Sequence, residues 1–267
     1  MAKNNIKNSF LIATKRNYDT HAKIVVDQLE SHGALNDGEI IICCPFPIDD
    51  KRIKYVKDEK QMNGNVAFNE ASVHSVGEFI YVLCDDHYVS KEILKGDEFL
   101  NSLTFLNRKY KISSLASGAP CYIGSIPNFP ETDFIAAALS YAAQSMSVRT
   151  SVMCRFPFFT RETYVNHLNG NVFHPNFNIC SHFADNYLSY FLAINNEPAI
   201  ECGYIQLQQF STSDQVDDGS VEPFGGPEKK YPTGYIESLK VYVDLCRNLK
   251  KGDPYSYDKK QKAFNSL

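Results

Sequence analysis

In the stretch GEFIYVLCDDHYV, residues 77–89, an apolar run from Phe79 to Cys84 ends abruptly in Asp85, Asp86 and His87. A run without alternation is what a parallel strand covered on both faces requires. Ligands of α/β proteins bind at the carboxyl ends of such strands, so two carboxylates and an imidazole there suit one hard divalent cation bridging a nucleotide's phosphates. The competing reading of the same residues is an acidic turn that caps a following helix.

Outward from this stretch, the chain alternates between strand-like and helix-like patterns. SFLIATKRN, residues 9–17, reads as a first strand. DTHAKIVVDQLESHG, residues 19–33, reads as the helix after it, capped by Asp19 or Thr20, with Ile24, Val25 and Leu29 on one face and Gly33 as its stop. Residues 38–46 form a second buried strand and residues 53–58 a third, followed by an Asn63-Gly64 turn signal and a helix over residues 66–77. Strand, helix, strand, strand, helix, strand is an α/β layered plan with a mostly parallel sheet flanked by helices. In the second half, helices are expected over residues 133–146, 185–196 and 235–249, with Ile236, Leu239, Val243, Cys246 and Leu249 as the last one's buried stripe. Residues 151–161 read as strand and turn interrupted by Pro157, and residues 199–210 as another strand. The Gly/Pro-rich segment 211–234 reads as a lid loop, and the chain beyond Gly252 as a charged mobile tail.

With 267 residues the chain can bury a substantial core, and a formal charge of −4 gives no global field for nucleic acid. The core between Ser9 and Lys15 near the amino terminus spans only five residues, so neither a signal-peptide core nor a transmembrane segment is read there. The eight cysteines show no CxxC pair, and several lie within apolar runs, which fits reduced thiols in a cytoplasmic protein. No GxxxxGK[ST] or GxGxxG occurs.

The order ATKRN (13–17), VAFNEASVHSVGEFIYVL (66–83) and CDDH (84–87) resembles the inverting glycosyltransferases of the GT-A fold, family 2. In that family a polar turn ends the first strand, an Asn-bearing helix precedes a Gly-Glu-aromatic-Ile strand, and a DXD-type motif closes that strand. The segment LNGNVFHPNFNICSHFADNYLSYFL (168–192) resembles the acceptor-side region, where an acidic residue opening a helix serves as base. The resemblance implies a single GT-A (Rossmann-like) domain over residues 1–250. Its nucleotide-sugar half is 9–110, its acceptor half 111–250 carries the 211–234 lid, and 251–267 is the tail. It implies a nucleoside-diphosphate sugar donor, a glycan or other hydroxyl acceptor and Mn²⁺ or Mg²⁺ as cofactor. By position the resemblance implies Asp185 as the catalytic base, with a helix cap as its other reading. It implies Asp86 and His87 as metal ligands, with His87 facing solvent as its other reading. Thr14, Arg16, Asn17, Asp58, Asn69, Cys84 and Asp85 are implied as donor contacts, with a solvated basic turn as the other reading of Arg16.

The sequence departs from the family at Cys84, which stands in the first acidic position of the motif, and at Cys43-Cys44-Pro45, where a base-reading Asp is usual. Asp49, Asp50 and Asp58 substitute by proximity only. His182, one turn before Asp185, can orient an acceptor or be a packed aromatic neighbour. Arg155 and Arg161 suit an anion or surface pairing. Two alternatives stay open: a catalytically silent sugar-nucleotide or glycan-binding module of the same fold, and a nucleotidyltransferase.

Overall fold

The computed structural model describes residues 6–59, 63–105, 112–117, 154–179, 183–195, 200–210 and 235–256. The helix expected over 133–146, the 211–234 lid, His182 and residues 257–267 lie outside the described residues.

Four strands follow the sequence reading closely: β1 (Asn8–Ala13), β2 (Gly38–Cys44), β3 (Ile53–Lys57) and β4 (Phe79–Cys84). They are mutually parallel, β2 pairing with β1 and β3, and β1 with β4. Period-two alternation sends their side chains into two cores. Leu11, Ile41, Ile80 and Val82 face one cluster, while Phe10, Ile12, Ile40, Ile42, Tyr81 and Leu83 face the other. Both faces of β1, β2 and β4 are covered, so their central positions carry buried residues on either side, whereas β3 at the sheet edge leaves Lys54 and Lys57 exposed. Gly77 opens β4 because nothing larger fits: a Cβ there would lie 2.6 Å from Ser9 Oγ and 2.7 Å from the Asn8 carbonyl carbon.

Helix α1 (Ala22–His32) packs Val25, Val26 and Leu29 on the second core, and Gly33 ends it in the left-handed region at φ 89°. Neither Asp19 nor Thr20 caps it. His21 holds the N-cap position without a side-chain bond to the helix amides, its ring nitrogen pairing with the Thr20 hydroxyl instead, and Val26 takes the buried place expected of Ile24, which is only half-buried. Asn63 is likewise no turn residue: it caps α2 (Gly64–Val73), its side chain accepting from the Asn65 and Val66 amides.

Beyond β4 the acidic pair forms a turn, not a helix cap. It leads directly into the short strand β5 (His87–Val89), then a 3₁₀ turn (Lys91–Lys95) and α3 (Gly96–Phe105). The remaining elements are β6 (Ile112–Ser117), β7 (Pro157–Thr160), α4 (Arg161–Asn166), α5 (Ala184–Ile194), β8 (Ile200–Gln209) and α6 (Tyr235–Asn248). Pro157 starts β7 instead of interrupting it, a position where its missing N–H costs least. The sheet has eight strands in the order β3-β2-β1-β4-β7-β6-β8-β5. β7 and β5 oppose the direction of the others, so the sheet is mixed beyond β4.

The chain past Gly252 is anchored, contrary to a tail mobile from that point. Tyr255 is fully buried against His174, Tyr187 and Phe191, and the buried Ser256 accepts through its carbonyl from Asn169.

Candidate active site

The carboxyl ends of β1 and β4 lie side by side, Ala13 opposite Cys84, so the residues that follow each strand meet. Thr14 is buried and donates its hydroxyl to Asp85 Oδ2 at 2.5 Å, while Thr14 Oγ1 itself accepts from the Arg16 amide at 3.0 Å, closing a tight turn. The Arg16 guanidinium reaches Asp86 Oδ2 at 3.0 Å and Asp85 Oδ1 at 3.5 Å. His87 Nδ1 lies 2.6 Å from Asp86 Oδ1. From the far half of the chain, Gln209 Nε2 donates to Asp86 Oδ2 at 3.2 Å, and the Phe210 amide donates to the Asp86 carbonyl at 3.0 Å. These bonds follow from the antiparallel pairing of β5 with β8, in which His87 stands opposite Gln209.

The two aspartates, adjacent in sequence and both almost fully buried, differ electrostatically. Burial pushes the Asp85 carboxyl above its ordinary value, more than the Thr14 hydrogen bond and Arg16 charge pull it down. At Asp86 burial also acts upward, but hydrogen bonds from His87 and Arg16 outweigh it and hold that carboxyl at about 2. Burial, reinforced by the charges of Asp86 and Asp85, pushes the Cys84 thiol well up.

Cys84, Asp86 and His87 form a cluster whose ligand atoms all lie within 4.8 Å of one another. Asp86 and His87 were expected there. Cys84 joins them as a third possible donor, while Asp85 turns instead to Thr14 and Arg16. Phe156 packs its ring 5.1 Å from that of His87, and the exposed Arg155 sits over Phe156, its charge reaching Cys84.

The other residues singled out in the sequence spread along or away from this edge. Asp58 follows the last β3 residue, its amide donating to the Cys44 carbonyl at 2.9 Å, which places it, buried, at the same end of the parallel strands. Asn17 is exposed and its side chain accepts from the Asp19 amide. Asn69 spends its amide on the backbone of Phe173, donating to the carbonyl at 2.8 Å and accepting from the N–H at 3.0 Å; it clamps α2 to the segment before α5. Asp50 is engaged by Arg52 and Tyr18. Arg161 is neither a surface ion pair nor an anion site: its guanidinium donates to the Gly77 carbonyl and Ser75 Oγ at the opposite end of β4.

Asp185 is half-buried in the first turn of α5, its carboxylate accepting from the Asn186 amide at 2.9 Å. Ahead of it, Phe183 holds φ 71°, a left-handed conformation that costs a bulky residue about 1–3 kcal/mol and persists only where packing imposes it. Ser189 on the same helix donates to the Asp185 carbonyl and accepts from the Cys154 amide at 2.9 Å. Two residues later comes Phe156, against His87. This short run of chain ties α5 to the acidic turn. Gln209 and Phe156, which touch the acidic turn, were not singled out as site residues in the sequence, because they enter through pairings that no local pattern encodes.

No protein-family model matches the chain, and no curated protein sequence matches it. Among solved structures, S. aureus TarS 1–349 in complex with UDP-GlcNAc aligns over 92% of this chain and 68% of its own, with TM-score 0.55 and 14% identity. Glucosyl-3-phosphoglycerate synthase from Mycobacterium tuberculosis in complex with phosphoglyceric acid aligns over 82% of this chain and 77% of its own, with TM-score 0.52 and 10% identity. The chain spans 57% of the length of a third, the mannosyltransferase PcManGT from Pyrobaculum calidifontis, at TM-score 0.48, with 14% identity over 78% of this chain. None of the described helices is long and apolar enough to cross a membrane. At these identities the likeness is one of architecture: the chain has the GT-A fold.

Proposed function

We propose that the protein is an inverting glycosyltransferase that moves a sugar from a nucleoside-diphosphate donor to a hydroxyl of a glycan or other acceptor. The observation that carries this reading is the bonded cluster of Thr14, Arg16, Asp85, Asp86 and His87 at the carboxyl ends of β1 and β4. Further support comes from the comparison proteins: TarS was solved in complex with UDP-GlcNAc, and the mycobacterial synthase in complex with Mn²⁺, UDP-glucose and phosphoglyceric acid.

The acceptor oxygen attacks the anomeric carbon as the bond to the diphosphate breaks, and the hydroxyl proton passes to Asp185. A carboxylate in the first turn of a helix stays ionised, as a base must. Arg16 faces the charge that grows on the departing diphosphate, and Arg155 stands on the same flank. Asp86, His87 and Cys84 have the donor set and spacing to hold a divalent cation. When bound, that cation supplies electrostatic stabilisation of the leaving group without a proton. In this reading Thr14 and Asp58, both buried at the carboxyl ends of the parallel strands, would contact the ribose and base of the donor. Cys84 in the first motif position favours a second reading, a donor-binding module without turnover.

Calorimetry with UDP and GDP tests the donor site. Affinity for at least one diphosphate in the presence of Mn²⁺, weakened by EDTA, is expected. No affinity for either would overturn the reading.

A further inference from the structure

We infer that Cys84, Asp86 and His87 form a site for a thiophilic divalent cation of the zinc class, with Cys84 as a direct sulfur ligand. The inference rests on the donor-site reading above and names the kind of metal that the site selects.

The observation is the mixed donor set. One sulfur, one imidazole nitrogen and one carboxylate oxygen lie within 4.8 Å of one another. Mg²⁺ demands near-octahedral oxygen coordination and keeps several waters, and a thiol in its shell is a poor exchange for a carboxylate. Zinc-class ions take sulfur, nitrogen and oxygen together, and three protein ligands leave a fourth position open to a phosphate oxygen.

The surroundings fit such a site. All three donors sit at one strand junction, Cys84 ending β4, Asp86 in the turn and His87 opening β5, so their ligand atoms are already gathered. The second aspartate, which could have made a hard all-oxygen pair, is committed to Thr14 at 2.5 Å and Arg16 at 3.5 Å. Arg16 and Gln209 both bond Asp86 Oδ2, at 3.0 and 3.2 Å, and fix its plane, while Phe156 packs on the imidazole. Such outer contacts orient ligands and tune a metal. Binding opens the Asp86–His87 contact and releases the thiol proton to solvent.

The test uses the full chain and Co²⁺ as a spectroscopic substitute, alongside equilibrium dialysis with Zn²⁺ and Mn²⁺. Wild-type protein is expected to give a sulfur-to-cobalt charge-transfer band that Cys84→Ser abolishes. Almost any site prefers Zn²⁺ to Mn²⁺, so the deciding quantity is the change in that preference. Cys84→Asp, which installs an oxygen donor, should shrink the Zn²⁺/Mn²⁺ affinity ratio by roughly tenfold or more. Circular dichroism of each variant verifies its fold, and His87→Asn provides a second, independent loss of cobalt affinity. A cobalt complex without the band, a band that survives Cys84→Ser, or an unchanged ratio in Cys84→Asp overturns the inference. UDP binding in EDTA-treated protein is read separately. A donor that binds without metal leaves the glycosyltransferase reading standing while cobalt decides the metal class.

Discussion

Asp85 and Asp86 are neighbours in sequence with opposite effects on stability. The Asp86 carboxyl falls from 3.8 to about 2 on folding because His87 and Arg16 outweigh burial, so its ionised form stabilises the fold. That contribution is fully present above about pH 4 and is lost as pH falls through about 2. Asp85 is raised, chiefly by burial, so its ionised form costs stability above its folded value and the cost disappears in acid. Asp86→Asn should therefore lower the melting temperature at neutral pH by roughly 5 °C, equivalent to about 2 kcal/mol, with the deficit closing in acid. Asp85→Asn should not lower it. Thermal melts of the three proteins across acid and neutral pH decide, and equal losses from both variants would refute the assignment of opposite signs.

Among the elements, strands β1, β2 and β4 were readable because a strand covered on both faces needs a continuous apolar run, a signal independent of distant contacts, while β3 at the sheet edge shows the alternation of a half-exposed strand. β5 was not readable. It has three residues, and its existence depends on β8, which supplies its partner. The acidic turn could be located in the sequence, yet the division of labour within it could not, because Thr14 claims Asp85 through a contact between two strand ends. Position along the chain did lead to Asp185 at the start of α5, where the left-handed Phe183 and the Ser189–Cys154 bond fix the helix entrance. Asp185→Asn keeps size and most hydrogen bonding but cannot take a proton, so sugar transfer should drop about 10²- to 10⁴-fold with donor affinity nearly intact. Near-normal turnover would remove Asp185 as base. Lost donor affinity with a lower melting temperature would make it a helix cap.

In the molecule as a whole, one sheet separates two cores, and the core shared by α2, α5 and α6 is closed by Tyr255 from beyond the last helix. Tyr255→Ala should cost about 3–5 kcal/mol in urea unfolding, as expected for removing a fully buried aromatic ring. A loss below about 1 kcal/mol would mean the ring is dispensable to the core. The β5–β8 pairing bears on how the chain is made. Gln209 follows Asp86 by 123 positions. At about 5–20 residues per second, a ribosome exposes the acidic turn roughly ten seconds before the strand that completes it. During that interval the growing chain can assemble four parallel strands but has no finished edge beside Asp86. Arg16 and His87, both already synthesised, are the groups that can hold the carboxylate until β8 arrives.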